Sequence, residues 1–320
     1  MSHRTKLTVY GAGAFGTALA IAFSERFERV CLVARSEAAA ARLSADRANE
    51  TYLPGARLPP NVSVTAAFEP ADAVLWAVPA QAMGQTLAEC ADQLSPSSPV
   101  LICAKGLDLA SGRRLSKVAA VAAPGINAGF LSGPAFAADI AAGMPTAMTL
   151  ALRSGALDMA QTMSTNRLRL YASEDVTGVE LGGALKNVVA IASGVAMGAG
   201  FGESARAALV TRGFAEMCRI AEALGAKRET LMGLSGFGDL MLTASSGQSR
   251  NVAYGLALGA RDELPTRLAE GAKTASVAYT LAADLGVDTP VIAQTVALLE
   301  GRTRPTEAMD ALLSRDVRPE

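Results

Sequence analysis

Residues 6–27 read KLTVYGAGAFGTALAIAFSERF. Lys6 to Tyr10 is a short β-rich run, and Gly11-Ala12-Gly13-Ala14-Phe15-Gly16 follows it directly. From Thr17 to Phe27 the composition turns helical. This is G-x-G-x-x-G in the strand–turn–helix setting that gives the motif its meaning. Gly11 permits the tight turn, Gly13 lets backbone approach a pyrophosphate, and Gly16 allows close packing of helix on strand. N–H groups at the positive end of that helix would then face the phosphates. The stretch predicts a dinucleotide-binding, Rossmann-type α/β domain at the N-terminus.

A second β-rich run, Arg29 to Ala34, follows at the spacing a Rossmann unit requires. An acidic residue at its end would bind the ribose 2′-OH of NAD, but this chain has Ala34-Arg35-Ser36. Arg35 can pair with a 2′-phosphate, so NADP(H) is the preferred cofactor and NAD(H) the alternative. An Arg35 lying flat on the adenine would be indifferent to that phosphate, and Glu37 stands close by. DAVLWAV at 72–78 and VLICA at 100–104 read as buried strands, leading into Pro79-Ala80-Gln81 and Lys105-Gly106. Ligands of open α/β sheets bind off the carboxyl ends of strands, where both segments finish. Further β-rich runs cover 129–132, 146–152 and 167–171. From Val176 onward Ala, Leu, Glu and Arg dominate, and helices alternate with Gly-rich turns. Two domains are expected: residues 1–176, binding the dinucleotide, and residues 177–320, all-helical and carrying the substrate chemistry.

The second of these opens on a long, nearly uncharged stretch from Gly178 to Gly202. Ala, Leu and Val recur around every face from Val179 to Met197, which reads as a helix buried on most sides. Gly182, Gly183, Ser193 and Gly194 leave little side chain, so a neighbouring helix or a ligand can come close. Into this setting falls Lys186, followed by Asn187. Burial disfavours a lysine's charged form, so a lysine placed here can give and take a proton near neutral pH. The plainer alternative is that it reaches the surface along its own stem. The chain has six lysines against twenty-three arginines, and two of the six, Lys105 and Lys186, lie in apolar, glycine-flanked settings.

Composition removes other classes. Half of the 320 residues are hydrophobic and 18% are charged, which supplies large cores. A net charge of -1 argues against nucleic acid or a membrane surface as the main partner. Cys31, Cys90, Cys103 and Cys218 show no metal-ligand spacing and look like buried thiols of a reducing compartment, so no metal site is expected. Residues 118–138 carry no charge, but Pro124, Gly125, Gly129, Gly133 and Pro134 break them up, and no membrane-spanning helix is expected there. The N-terminus enters a strand without a signal peptide, so the expected location is the cytoplasm. The single histidine is His3, which excludes Ser-His-Asp hydrolases, His-ligated zinc and dehydrogenases with a histidine base. A general acid/base must then be Lys, a carboxylate, Tyr or Cys.

GAGAFGTALA at Gly11, CAKGL at Cys103, SGPAFA at Ser132, GGALKN at Gly182, GFGDL at Gly236 and QSRN at Gln248 occur in that order. Together they closely resemble the bacterial soluble NAD(P)-dependent glycerol-3-phosphate dehydrogenase family, from Thr8 to about Leu299. The resemblance implies a 6-phosphogluconate-dehydrogenase-like two-domain plan with the site in a cleft between the domains. It makes Lys186 the catalytic acid/base, with Asn187 and Asp239 beside it and Thr243 following on the same segment. Lys105 is implied to contact substrate and cofactor, and Gly133, Ala135 and Ala137 of the SGP loop to line the site. Ser249, Arg250 and Asn251 are implied to bind the substrate phosphate. Gly11, Gly13, Ala14, Phe15, Gly16, Arg35, Ala137, Arg250 and Glu270 match cofactor positions. Ala135 departs from the threonine of many relatives, so one substrate hydrogen bond is either lost there or made by backbone. The implied reaction is reversible reduction of dihydroxyacetone phosphate to sn-glycerol 3-phosphate, supplying phospholipid synthesis, by a homodimer. Read from the residues alone, Ser249-Arg250-Asn251 before an Ala/Leu run is a helix N-terminus, where anions are welcome. The alternatives are another hydroxyacid or 6-phosphogluconate dehydrogenase of the same plan, against which GDL and QSRN speak, and a non-catalytic dinucleotide sensor.

Overall fold

The structure, a computed structural model, describes residues 5–265 and 269–315, so His3 lies outside the described residues. It divides into two compact units, one made of Met1–Asp108 and Arg113–Glu180, the other of Leu109–Gly112 and Leu181–Glu320.

Among the described residues the first unit carries ten strands: β1 (Lys6–Tyr10), β2 (Arg29–Val33), β3 (Ala48–Asn49), β4 (Leu53–Arg57), β5 (Val62–Thr65), β6 (Ala73–Trp76), β7 (Val100–Ile102), β8 (Ala128–Ser132), β9 (Thr146–Ala151) and β10 (Leu168–Ser173). Eight of them form one sheet in the order β10-β9-β8-β7-β6-β1-β2-β5. All neighbours in it are parallel except β8 and β9, which run antiparallel with Leu131 opposite Leu150. β1 lies between β2 and β6, where the winding of the chain reverses, and the crevice of a doubly wound sheet opens at such a point. Successive side chains of a strand point to opposite faces. In β6, Ala73 and Leu75 accordingly join the core around Leu7, Leu19 and Phe23, while Val74 and Trp76 join the one around Leu87, Ile102 and Leu115. Both faces of β6 are buried, as a strand inside a parallel sheet requires. The helices of this unit are α1 (Ala14–Phe23), α2 (Glu37–Asp46), α3 (Ala80–Glu89), α4 (Leu115–Ala122), α5 (Ala137–Ala141) and α6 (Ala156–Met163).

Two local differences from the sequence reading have simple causes. α1 starts at Ala14, not Thr17, because the last residues of the glycine motif already form its first turn. The β3–β4 ribbon and the edge strand β5 escaped notice. β4 contains Pro54 and Gly55, which argue against a strand interior but are tolerated in a two-stranded ribbon.

The second unit is all-helical among the described residues. α7 (Val176–Gly198) begins before the division at Glu180 and runs on through it. α8 (Gly202–Ala223), α9 (Arg228–Met232), α10 (Asp239–Ser245), α11 (Arg250–Ala260), α12 (Glu270–Asp284), α13 (Pro290–Leu299) and α14 (Pro305–Leu313) follow, with a π-helical turn at Leu234–Gly238. Among the described residues α7 is the one helix long and apolar enough to cross a membrane, yet 89% of its apolar window is buried inside the molecule. A helix apolar all round is a core helix. Its glycines set how closely the rest can pack. A Cβ at Gly182 would fall 2.7 Å from the Ser235 carbonyl oxygen in the π turn. Farther along, Gly194 and Gly198 meet Gly255 and Gly259 of α11 in a reciprocal seam. A Cβ on any of the four would lie 2.1–2.4 Å from a backbone oxygen of the opposite helix. α13 is capped from a distance, since the Glu216 carboxylate of α8 accepts from the N–H groups of Val291 at 2.7 Å and Ile292 at 3.0 Å. Burial pushes the Glu216 carboxyl up to about 7, against the lowering effect of those two hydrogen bonds.

Candidate active site

The glycine loop is shaped by what its residues lack. Gly11 has φ 115°, and a Cβ there would lie 2.6 Å from the Ala77 carbonyl oxygen, so only glycine fits. Its N–H donates to the Val33 carbonyl at 3.0 Å, which fixes the turn after β1. A Cβ on Gly16 would sit 1.9 Å from the Gly11 oxygen. Gly13 is the opposite case, with nothing within 4 Å of where its Cβ would be. It is the N-cap of α1, and no side chain caps that helix. A bare helix N-terminus beside open backbone, at the carboxyl end of the central strand, is a cradle that a pyrophosphate fits.

The other predicted residues of the first unit gather partly around this loop. Ala14 and Phe15 open α1, half-buried. The Lys105 ammonium donates to the Gly133 carbonyl at 3.2 Å and lies 5.9 Å from the Phe15 ring centroid. Ala135 and Ala137 follow Gly133, half-buried, and Ala135 presents no hydroxyl. Arg35 is exposed at the end of β2, just before Ser36, which caps α2 by accepting from the Ala39 N–H. Burial pushes the Cys31 thiol up to about 11 and Cys103 to about 12, so neither is a nucleophile near neutral pH.

In the second unit Lys186 is 5% exposed, so the snorkelling alternative is excluded. Its Nζ donates to Asp239 Oδ1 at 2.5 Å and to Thr243 Oγ1 at 2.6 Å. Asp239 opens α10 and Thr243 lies one turn on, so the pair presents a carboxylate and a hydroxyl from one helix face. A buried ammonium that faces a carboxylate and a hydroxyl is held at one point in space.

One residue further along α7 a second constellation begins. Asn187 Oδ1 accepts from Asn251 Nδ2 at 2.9 Å, and Asn251 Oδ1 accepts from the Gly271 N–H at 3.0 Å. The two asparagines thus tie α7, α11 and the start of α12 together. Ser249 is 4% exposed and serves as the N-cap of α11, its Oγ accepting from the Val252 N–H. Arg250 is exposed, with Nη2 at 3.9 Å from Glu270 Oε1. Lys186, Asp239 and Thr243 form one group, Asn187 and Asn251 another, and Arg250 and Glu270 a looser, solvated pair. The sequence reading overlooked Gly271, where a Cβ would lie 2.4 Å from the Asn187 carbonyl oxygen. It named Gly194 as open to the close approach of a helix but did not pair it with α11.

Comparison with known proteins bears on both units. The family model for the NAD-dependent glycerol-3-phosphate dehydrogenase N-terminus matches residues 6–157, and the one for its C-terminus matches residues 175–310. The glycerol-3-phosphate dehydrogenase [NAD(P)+] of Chelativorans sp. (strain BNC1) is 47% identical over 327 residues, covering 100% of each chain. The enzyme of the same description from Mesorhizobium japonicum is 46% identical, over 98% of this chain and 94% of its own. Among solved structures, glycerol-3-phosphate dehydrogenase from Coxiella burnetii superposes with a TM-score of 0.90 at 31% identity, covering 98% of this chain and 99% of that one.

Proposed function

The chain belongs to the NAD-dependent glycerol-3-phosphate dehydrogenase family, and we propose that Lys186 is the acid/base of its reaction. The reaction is reversible NAD(P)H-dependent reduction of dihydroxyacetone phosphate to sn-glycerol 3-phosphate. The nicotinamide, when bound, supplies the hydride that reduces the ketone carbon. The Lys186 ammonium stabilises the oxygen as negative charge develops on it, then donates a proton to it and is left as the amine. In the oxidative direction the amine takes the hydroxyl proton. Asp239 and Thr243 hold Nζ in place through both states. The observation that carries this reading is the buried lysine fixed at 2.5 Å from Asp239.

The glycine loop with Ala14 and Phe15 is assigned the pyrophosphate, and Arg35 the 2′-phosphate of NADP(H). Lys105, Gly133, Ala135 and Ala137 are assigned contacts with substrate and cofactor. Arg250 is assigned the substrate phosphate, because a guanidinium offers a planar fork that suits phosphate oxygens and Arg250 stands exposed at the first turn of α11. The asparagines act by placing that turn. Glu270, beside Arg250, is assigned a cofactor contact. Four free, buried cysteines suit the reducing cytoplasm, and a homodimer supplying phospholipid synthesis follows the family resemblance.

Steady NADPH consumption with dihydroxyacetone phosphate, and none with 6-phosphogluconate, tests the activity. Arg250→Gln tests the phosphate assignment. The change should cost the phosphorylated substrate about 1.5–3 kcal/mol in kcat/KM and hardly affect unphosphorylated dihydroxyacetone. Equal losses for both substrates would mean that Arg250 supports the fold or the cofactor.

A further inference from the structure

Asn49 lies in β3, remote in sequence from every motif above, and is 2% exposed. Its Nδ2 donates to the Ala12 carbonyl at 2.9 Å and to Thr17 Oγ1 at 2.7 Å. Ala12 is the middle residue of Gly11-Ala12-Gly13, and Thr17 belongs to α1, so one side chain grips the glycine loop and the helix it feeds. A carbonyl oxygen can only accept, so the amide must face Ala12 with its NH2.

The segment that carries Asn49 is anchored independently of the loop. Arg47 caps the end of α2 in the left-handed region at φ 51°. Its guanidinium donates to the carbonyls of Val62 at 2.8 Å, Leu58 at 3.2 Å and also Pro59, while its own carbonyl accepts from the Leu58 N–H at 2.8 Å. Asn49 therefore projects from a fixed base.

The consequence for the loop follows from the planarity of the peptide. No cis bond occurs among the described residues, and in a trans peptide the C=O and the following N–H point in opposite directions. Holding the Ala12 carbonyl inward to Asn49 turns the Gly13 N–H outward. Gly13 itself is uncrowded, with nothing within 4 Å of where its Cβ would be.

We propose that Asn49 is a positioning residue for the dinucleotide: by holding the Ala12 carbonyl it aims the Gly13 N–H at the pyrophosphate. The inference rests on the reading of the glycine loop as the dinucleotide site, and the test separates the two. Dissociation constants of NADPH, which has a pyrophosphate, and of adenosine 2′-monophosphate, which has none, are measured by calorimetry for wild type and Asn49→Ala. Losing one oriented donor should weaken NADPH by roughly tenfold and leave adenosine 2′-monophosphate within about twofold. In turnover the loss should appear in KM for NADPH and not in kcat. Thr17→Val removes the other acceptor but keeps the bond to Ala12, so it should lower the melting temperature and retain NADPH affinity. If Asn49→Ala does not fold, Asn49→Gln keeps the donors on a stem one methylene longer and should show the same selective loss. Unchanged NADPH affinity in a folded variant, or equal weakening of both ligands, would overturn the role of Asn49. A wild-type protein that binds NADPH no tighter than adenosine 2′-monophosphate would instead overturn the reading of the loop.

Discussion

At the scale of single residues the decisive fact is that Lys186 and Asp239 are both buried and each faces the other. Lys186→Met should lower kcat by roughly 10²–10⁴, the usual worth of a general acid/base, while NADPH still binds. Near-normal turnover would refute the assignment. The same substitution strands the Asp239 carboxylate, and breaking a buried pair by removing one partner costs about 3–5 kcal/mol. Adding Asp239→Asn to Lys186→Met should therefore restore much of the melting temperature and none of the activity, which separates the chemical role from the structural one. Arg35 is a simpler case, exposed just past the end of β2. If it pairs with a 2′-phosphate, Arg35→Ala should weaken NADPH roughly 10- to 100-fold more than NADH, the worth of a charge-assisted contact of about 1.5–3 kcal/mol. Equal losses would show that it packs on the adenine. The types of these residues were legible because their chemistry is carried by identity: a lysine in an apolar run, an arginine where NAD wants an acid. The bonds of Asn251 were not, since its partners stand 64 and 20 residues away and no local pattern announces them.

At the scale of elements, two helices begin on carboxylates lent by other helices. Glu180 of α7 accepts from the N–H and hydroxyl of Ser116 in the first turn of α4, and Glu216 of α8 does the same service for α13. Burial raises both carboxyls, Glu216 to about 7. An acid whose folded pKa lies above its unfolded value of 4.5 holds its proton more tightly when folded. Its stabilising contribution is complete below pH 4.5 and is lost as pH rises through 7. At about 1.4 kcal/mol per pKa unit, the loss across that window is on the order of 3 kcal/mol. Glu216→Gln should flatten the pH dependence of urea stability between those limits. A profile as steep as that of wild type would mean that another group titrates there. Strand and helix types were readable over most of the chain because periodicity reports burial. The β3–β4 ribbon was hidden, because Pro54 and Gly55 imitate a loop, and so was the π turn, because its LSGFG has the look of an ordinary glycine-rich connection.

At the scale of the whole molecule, the chain reports on its own cofactor. Trp76 is the single tryptophan, fully buried at the end of β6 and stacked on Tyr10 at 4.2 Å between ring centroids. A ligand held by the folded first unit stabilises it by mass action, about 2.7 kcal/mol at a hundred times Kd. NADPH should accordingly raise the thermal transition seen by Trp76 fluorescence, and an unmoved transition would place the dinucleotide elsewhere. The doubly wound plan and the helical second unit were legible across nearly the whole chain. What could not be read was the partner, because glycine in a sequence does not say whose backbone has come near. The seam of Gly194, Gly198, Gly255 and Gly259 also carries a message about inheritance. When a core leucine shrinks, a neighbour can grow to fill the gap, and a lineage can drift through such paired changes. At these four positions the space belongs to backbone oxygens, which no codon can alter. A suppressor screen begun from Gly194→Ala should return true revertants and no second-site repairs within the seam.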